Sequence, residues 1–160
     1  MIDYLEIFSQ LNANKIKYII VGGLAINIHG IPRATYDIDL LLDMNKENLE
    51  KFIFLMKKLG YKPKVPVKIE DFLSEEKRKK WIKEKNMKAF SLYNSKLILS
   101  EIDVVINTTL DYEKAIKNVV YKKVKNIILP VISIKDLIKM KSESSRKQDI
   151  LDIEMLKKLL

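Results

Sequence analysis

Two aspartates separated by one residue, Asp37 and Asp39, lie in the apolar run Tyr36-Asp37-Ile38-Asp39-Leu40-Leu41-Leu42. Such a run reads as a β-strand, in which side chains two apart leave the same face roughly 6.5–7 Å apart along the chain. The two carboxylates therefore share one site, while Ile38 and Leu40 face the other way. With about 4 Å between charged oxygens and an effective dielectric of roughly 20, their repulsion is on the order of 4 kcal/mol before relaxation. A divalent cation relieves that conflict. Magnesium suits it, because its ligands are oxygens and it commonly bridges carboxylates to substrate phosphates. On its own an Asp-x-Asp pair is more readily a solvated strand end or a helix N-cap, and the residues before it change the balance. Gly22-Gly23 stand between a strand-like stretch, 15–21, and an apolar helical pattern over 24–29. Glycines there let the backbone approach a ligand closely, and the N–H groups opening a helix favour a phosphate. A glycine pair alone is a tight turn; beside two carboxylates it places a phosphate binder next to a metal binder.

The elements that must position these residues follow from periodicity. Residues 3–14 carry Leu5, Phe8 and Leu11 at helical spacing, and 36–42 is a strand. An amphipathic helix over 46–59 shows Leu49, Phe52, Ile53, Met56 and Leu59 on one face, with Gly60 as its stop. The charged stretch 70–86, around Phe72, Leu73, Trp81 and Ile82, reads equally as a surface helix, a lid or an insertion. Strands are expected at 87–93 and 97–106, joined by Asn94 and Ser95, with Asp103 in the second. A short helix at 112–118, strands at 121–124 and 127–131, and a helical tail over 134–160, capped by Ser133 with Asp136, complete the chain. No repeat or linker divides it, so residues 1–160 read as one α+β domain, a mixed sheet flanked by helices, with 133–160 as its helical C-terminal segment.

Composition bounds the chemistry. The 160 residues include no cysteine, which excludes disulfides, thiolate catalysis and cysteine-ligated zinc. His29 is the single histidine, so multi-histidine metal sites are excluded too. It is expected to pack beside the glycine turn or to orient a carboxylate. The net charge of +9 suits a polyanionic partner, although only three of the 30 basic residues are Arg, and a bias toward Lys, Ile and Asn explains much of the surplus. No basic leader precedes an apolar run and no apolar stretch approaches about twenty residues, so a soluble cytoplasmic protein with no membrane partner is expected. Trp81 beside Lys77-Arg78-Lys79-Lys80 reads either as a stacking residue in a basic patch or, more commonly, as a buried anchor.

With these residues in place, the sequence resembles the nucleotidyltransferase superfamily related to DNA polymerase beta. The match is Gly-Gly, a helix, then Asp-x-Asp on a hydrophobic strand. The intervening Ile28-His29-Gly30-Ile31-Pro32-Arg33-Ala34-Thr35 looks like the branch that includes nucleotidyltransferase toxins of bacterial abortive-infection systems. The resemblance implies that Gly22 and Gly23 hold nucleotide phosphates and that Asp37 and Asp39 bind two Mg2+ ions. Asp103, in Glu101-Ile102-Asp103-Val104-Val105-Ile106, stands where the third carboxylate belongs, as metal ligand or general base. The segment Ser133-Ile134-Lys135-Asp136-Leu137-Ile138-Lys139-Met140-Lys141, followed by Arg146, Asp149 and Asp152, is similar to the same branch's C-terminal signature. It implies Lys141 as a triphosphate contact, with Arg146 and Asp149 supporting the nucleotide site; local ion pairs on an exposed helix are the plainer reading. Arg33 and Thr35, just before the carboxylates, read equally as contacts to phosphate or the second substrate and as structural residues of the loop. The resemblance stops between 61 and 86. Many members also carry Gly-Ser where this chain has Gly22-Gly23, so a serine contact to phosphate is missing.

The activity implied is transfer of a nucleoside monophosphate from an NTP, ATP among them, to an acceptor hydroxyl, with release of pyrophosphate. The acceptor would be RNA such as a tRNA 3′ end, a protein or a small molecule, with the basic surplus favouring RNA. A toxin–antitoxin partner follows by analogy with the branch. Two other readings compete: a nucleotide-binding or antitoxin-like module with little turnover, and a PIN-type metal-dependent ribonuclease. The second places an acidic residue where Gly22-Gly23 stand.

Overall fold

A computed structural model describes residues 4–97, 101–144 and 146–160. The first helix, α1 (Tyr4–Ala13), buries Ile7, Phe8 and Leu11. Lys15, at φ 56°, turns the chain into β1 (Tyr18–Val21), which is buried at every position. Next come α2 (Gly22–Ile28), β2 (Ile38–Leu42) and α3 (Lys46–Leu59). The Asn45 side chain accepts from Asn48 N to start α3, and Gly60 at φ 91° ends it. Then follow β3 (Lys62–Pro63), a 3-10 turn (Ile69–Leu73), α4 (Glu75–Lys85), β4 (Ala89–Tyr93) and β5 (Ile102–Val105). The chain closes with α5 (Tyr112–Ala115), β6 (Val120–Val124), β7 (Ile127–Val131), α6 (Ile134–Ser142) and α7 (Lys147–Lys157).

The strands form one mixed sheet in the order β3-β4-β5-β2-β1-β7-β6. At its centre β2 runs antiparallel to β1 and parallel to β5. These middle strands are apolar because they are covered on both faces, and the carboxylates Asp39 and Asp103 interrupt them. Around them Phe8, Ile19, Ile20, Ile38, Leu40, Phe52 and Phe90 are almost fully buried.

Three expectations change. The glycine pair does not precede the second helix but forms its first turn, with Gly22 at φ 68°. The stretch 70–86 is a surface helix, and it lies away from the carboxylates. Phe72 and Trp81 stack on Phe90 at centroid distances of 4.7 and 5.3 Å. Phe90 and Ser91 alternate in β4, and Ser91 is the residue in register with Asp103. Trp81 is therefore a buried anchor on the face opposite the carboxylates. The helical tail is broken in two. Glu143 ends α6, and Arg146 is extended at ψ 145° before α7. Around the break the Ser142 hydroxyl bonds back to Lys139 O at 2.7 Å, and the Glu143 carboxylate accepts from the Thr108 and Thr109 hydroxyls. Of the strand expected over 97–106, β5 is the part described, and residues 98–100 lie outside the described residues. Asn94 caps the turn before it, accepting from Lys96 N at 3.1 Å.

Candidate active site

Register brings the acidic residues together. Asp39 is the Cα partner of Asp103 across the parallel β2–β5 pair, and Ile38 pairs with Ile102. Ile38 N also donates to Glu101 O at 2.9 Å, which carries the pairing back to Asp37 and Glu101. The result is a ladder of two rungs, Asp37 beside Glu101 and Asp39 beside Asp103. One oxygen each of Asp37, Glu101 and Asp103 lies within 4.8 Å of the others. Asp39 turns toward the glycines: a Cβ on Gly22 would lie 2.1 Å from its Oδ2. Gly22 is thus required twice over, by its left-handed φ and by the carboxylate against it.

Glu101 was not singled out from the sequence, although Glu101-x-Asp103 repeats the spacing of Asp37-x-Asp39. Its partner Lys64, which no motif marks, follows β3 and places Nζ 2.8 Å from Glu101 Oε1. Lys64 N donates to Ser91 O at 3.0 Å, holding it at the edge of the ladder.

The ladder is electrostatically strained. Burial and the neighbouring Asp103 and Asp37 push Asp39 up to about 7, against the opposing pull of Lys141 and Arg33. Burial, then Asp103 and Glu101, raise Asp37, with Lys64 opposing. Burial raises Asp103 as well, opposed by a hydrogen bond from Ser91. Asp103 Oδ1 is buried without a protein partner. Like-charged oxygens, one of them unsatisfied, are the environment a hard divalent cation would neutralise.

On the other side of Asp39 stands a cationic wall. Gly22, Gly23, Arg33, Lys141 and Arg146 line a cavity of about 340 Å³ together with Thr35, Tyr36, Asp37, Asp39 and Asp103. All eight candidate residues from the sequence thus meet in one cavity. Lys141, 8% exposed, sits between two carboxylates of α7, with Nζ 3.2 Å from Asp149 Oδ1 and 2.9 Å from Asp152 Oδ2. Arg146 Nε donates to Asp149 Oδ2 at 2.8 Å, and Arg33 Nε lies 3.5 Å from Asp152 Oδ1. Burial would raise Asp149, but hydrogen bonds from Arg146, Ser144 and Lys141 outweigh it and hold the carboxyl at about 2. The Arg146–Asp149 pair is local to the start of α7, but the others are not: the break after α6 lets α7 fold back, so that its two buried acids also hold Lys141 of α6 and Arg33 of the loop before β2. Since α2 is only seven residues long and its N-cap Val21 offers no side-chain bond, these cations carry most of the positive charge. His29 lies outside the cavity wall, with Nε2 2.7 Å from Ile132 O, tying the end of α2 to the segment before α6. A larger cavity of about 430 Å³ lies past the far ends of β2 and β5, among Leu41, Asp43, Val105 and Tyr112, away from the paired carboxylates.

No curated protein matches the sequence significantly. Among solved structures, the fold is similar to the lincosamide antibiotic adenylyltransferase LnuA in its lincomycin-bound form. That match has a TM-score of 0.64 and 18% identity, covering 98% of this chain and 95% of that one. A nucleotidyltransferase from Thermotoga maritima matches with a TM-score of 0.58 and 16% identity, over 97% and 88% of the two chains. ANT(2″)-Ia, solved with adenylyl-2″-tobramycin, matches with a TM-score of 0.57 and 13% identity, over 95% and 84%. These likenesses show a nucleotidyltransferase fold. The family model described as "nucleotidyltransferase of unknown function" (DUF6036) matches residues 3–157, and the chain belongs to that family.

Proposed function

We propose that the chain is one magnesium-dependent nucleotidyltransferase domain that moves a nucleoside monophosphate from an NTP, ATP first among them, to an acceptor hydroxyl, releasing pyrophosphate. The observation that carries this reading is adjacency: Asp37, Asp39 and Asp103 of the ladder share a cavity wall with Gly22, Gly23, Arg33, Lys141 and Arg146. Arg33, Lys141 and Arg146 bind and orient the triphosphate, and Gly22 and Gly23 leave the room that Asp39 and Arg33 take up beside it. Asp37, Asp39 and Asp103 would hold two Mg2+ ions; all their donors are oxygens, and the unpartnered Asp103 Oδ1 fits that role. Bound there, magnesium supplies Lewis acidity toward the phosphoryl oxygens and favours ionisation of the attacking hydroxyl. Asp103, oriented by Ser91, acts on the metal and the attacking hydroxyl, as metal ligand or general base.

In-line displacement requires the acceptor to enter opposite the departing pyrophosphate. With the phosphates against the Arg33/Lys141/Arg146 wall, the acceptor comes in past Asp103, Glu101 and Lys64. Lys62 precedes Lys64 by two residues on the same strand edge, and the exposed Tyr36 flanks Asp37. Cations beside an exposed ring favour an RNA end, for example of a tRNA, as acceptor. A small-molecule acceptor is the second reading, favoured by similarity to enzymes solved with lincomycin and with adenylylated tobramycin. A protein acceptor and a cognate antitoxin rest on the abortive-infection resemblance alone. Incubation with α-labelled NTPs, bulk tRNA, cell protein and small-molecule extract distinguishes these, since label should enter the RNA fraction. Label confined to the small-molecule fraction would move the acceptor assignment to the second reading. Saturable NTP binding with no label transferred to any fraction would favour the binding module without turnover.

A further inference from the structure

Residue 23 carries no side chain, and the volume one would take there is filled from another part of the chain. A Cβ on Gly23 would lie 2.6 Å from Arg33 Nη1 and 3.0 Å from Thr35 Oγ1. The first distance is shorter than a side-chain carbon tolerates, so any residue other than glycine at 23 must displace the Arg33 guanidinium. Arg33 is fixed from behind, because its Nε lies 3.5 Å from Asp152 Oδ1, on a carboxylate only 5% exposed. Asp152 is itself held by Lys141, at 2.9 Å. The guanidinium therefore spans from a buried acid of α7 to the surface of Gly23, facing the cavity that Gly22, Lys141 and Arg146 also line.

A guanidinium offers five donors and a permanent charge in a planar fork matched to phosphate oxygens. We infer that Gly23 and Arg33 act as one unit. The absent side chain at 23 admits the guanidinium, and Arg33, seated over Gly23 by Asp152, makes the polyphosphate contact at that point of the cavity. The unit rests on the nucleotide-transfer reading above and extends it: Gly23 is the opening for a phosphate ligand positioned by Asp152.

The test is equilibrium binding of Mg·ATP and of inorganic tripolyphosphate to wild type, Gly23→Ser, Arg33→Ala, Arg33→Lys and the Gly23→Ser/Arg33→Ala double variant. Losing a charged hydrogen-bonding group should weaken ATP and tripolyphosphate about tenfold to a hundredfold in Arg33→Ala. Gly23→Ser should lose at least as much by expelling the guanidinium, while Arg33→Lys retains part of the affinity. The double variant should bind no worse than Arg33→Ala, and better than the product of the two single losses predicts, because the serine then has room. Losses that multiply in the double variant, or an Arg33→Ala protein that binds tripolyphosphate like wild type, would overturn the inference while leaving nucleotide transfer intact. So would an Arg33→Lys protein as weak as Arg33→Ala with an equally lowered melting temperature, the mark of a purely structural arginine. Wild type that binds neither ligand would overturn the nucleotide-transfer reading and this one with it.

Discussion

Replacing Asp39 by asparagine should make the metal-free protein more stable while abolishing its activity. In the fold the carboxyl of Asp39 is pushed up to about 7 by burial and by Asp103 and Asp37. An unfolded chain ionises it at about 3.9, so between about pH 4 and pH 7 the native state holds a proton that the unfolded state has released. Stability from this group is therefore lost as pH rises through that window. At about 1.4 kcal/mol per pKa unit the full loss is roughly 4 kcal/mol above about pH 7. Asparagine keeps the shape against Gly22 but never ionises, and it also gives up the attraction of Lys141 and Arg33. Taking half of the full loss, Asp39→Asn should gain on the order of 2 kcal/mol at about pH 8, or about 4–8 °C in melting temperature for a chain of this length. At about pH 4, where wild type keeps its own proton, the gain should vanish. Chelator-treated proteins melted across this range, with and without Mg2+, provide the assay. Magnesium should reverse the order by stabilising wild type far more than the variant. An Asp39→Asn protein less stable than wild type at about pH 8, or a difference that ignores pH, would refute the electrostatic account of the ladder.

Lys141→Met should cost about 1.5–3 kcal/mol in urea unfolding, because Asp149 and Asp152 lose the cation they share and keep only Arg146 and Arg33 as partners. A cost under about 1 kcal/mol would mean that Lys141 is not the keystone of that cluster. Asp149 acts with the opposite sign to Asp39. Held at about 2 despite its burial, by the hydrogen bonds of Arg146, Ser144 and Lys141, it contributes stability that is fully present above its unfolded pKa and is lost as pH falls from there through the folded value. The loss should amount to about 2 kcal/mol between roughly pH 4 and pH 2, and Asp149→Asn should flatten this acid limb. An unchanged limb would refute the assignment.

The carboxylate pair was legible because strand periodicity is local: Asp37 and Asp39 need only their own backbone to share a face. The same rule makes Glu101 and Asp103 legible as a second pair, and the register between the pairs supplies what no local pattern encodes. Lys64 could not be found from the sequence. It reaches Glu101 through the β3–β4 edge, and β3 is only two residues long. The break between α6 and α7 was hidden for a different reason. Residues 141–149 are all polar but hold no Gly or Pro to mark a stop, and what folds α7 back is the pairing of Asp149 and Asp152 with Lys141 and of Asp152 with Arg33. Trp81 is open to two readings in the sequence, a stacking residue in a basic patch or the commoner buried anchor, and its stack on Phe90 bears out the second.

The most direct test of nucleotide transfer is pyrophosphate release from each NTP with magnesium, in the presence of bulk tRNA, comparing wild type with the Asp37→Asn/Asp39→Asn double variant. Transfer chemistry predicts magnesium-dependent release by wild type and none by a double variant that remains folded. Equal release by both proteins would contradict the assignment of these carboxylates, and measurable NTP binding by wild type with no release under any condition would contradict the enzyme itself.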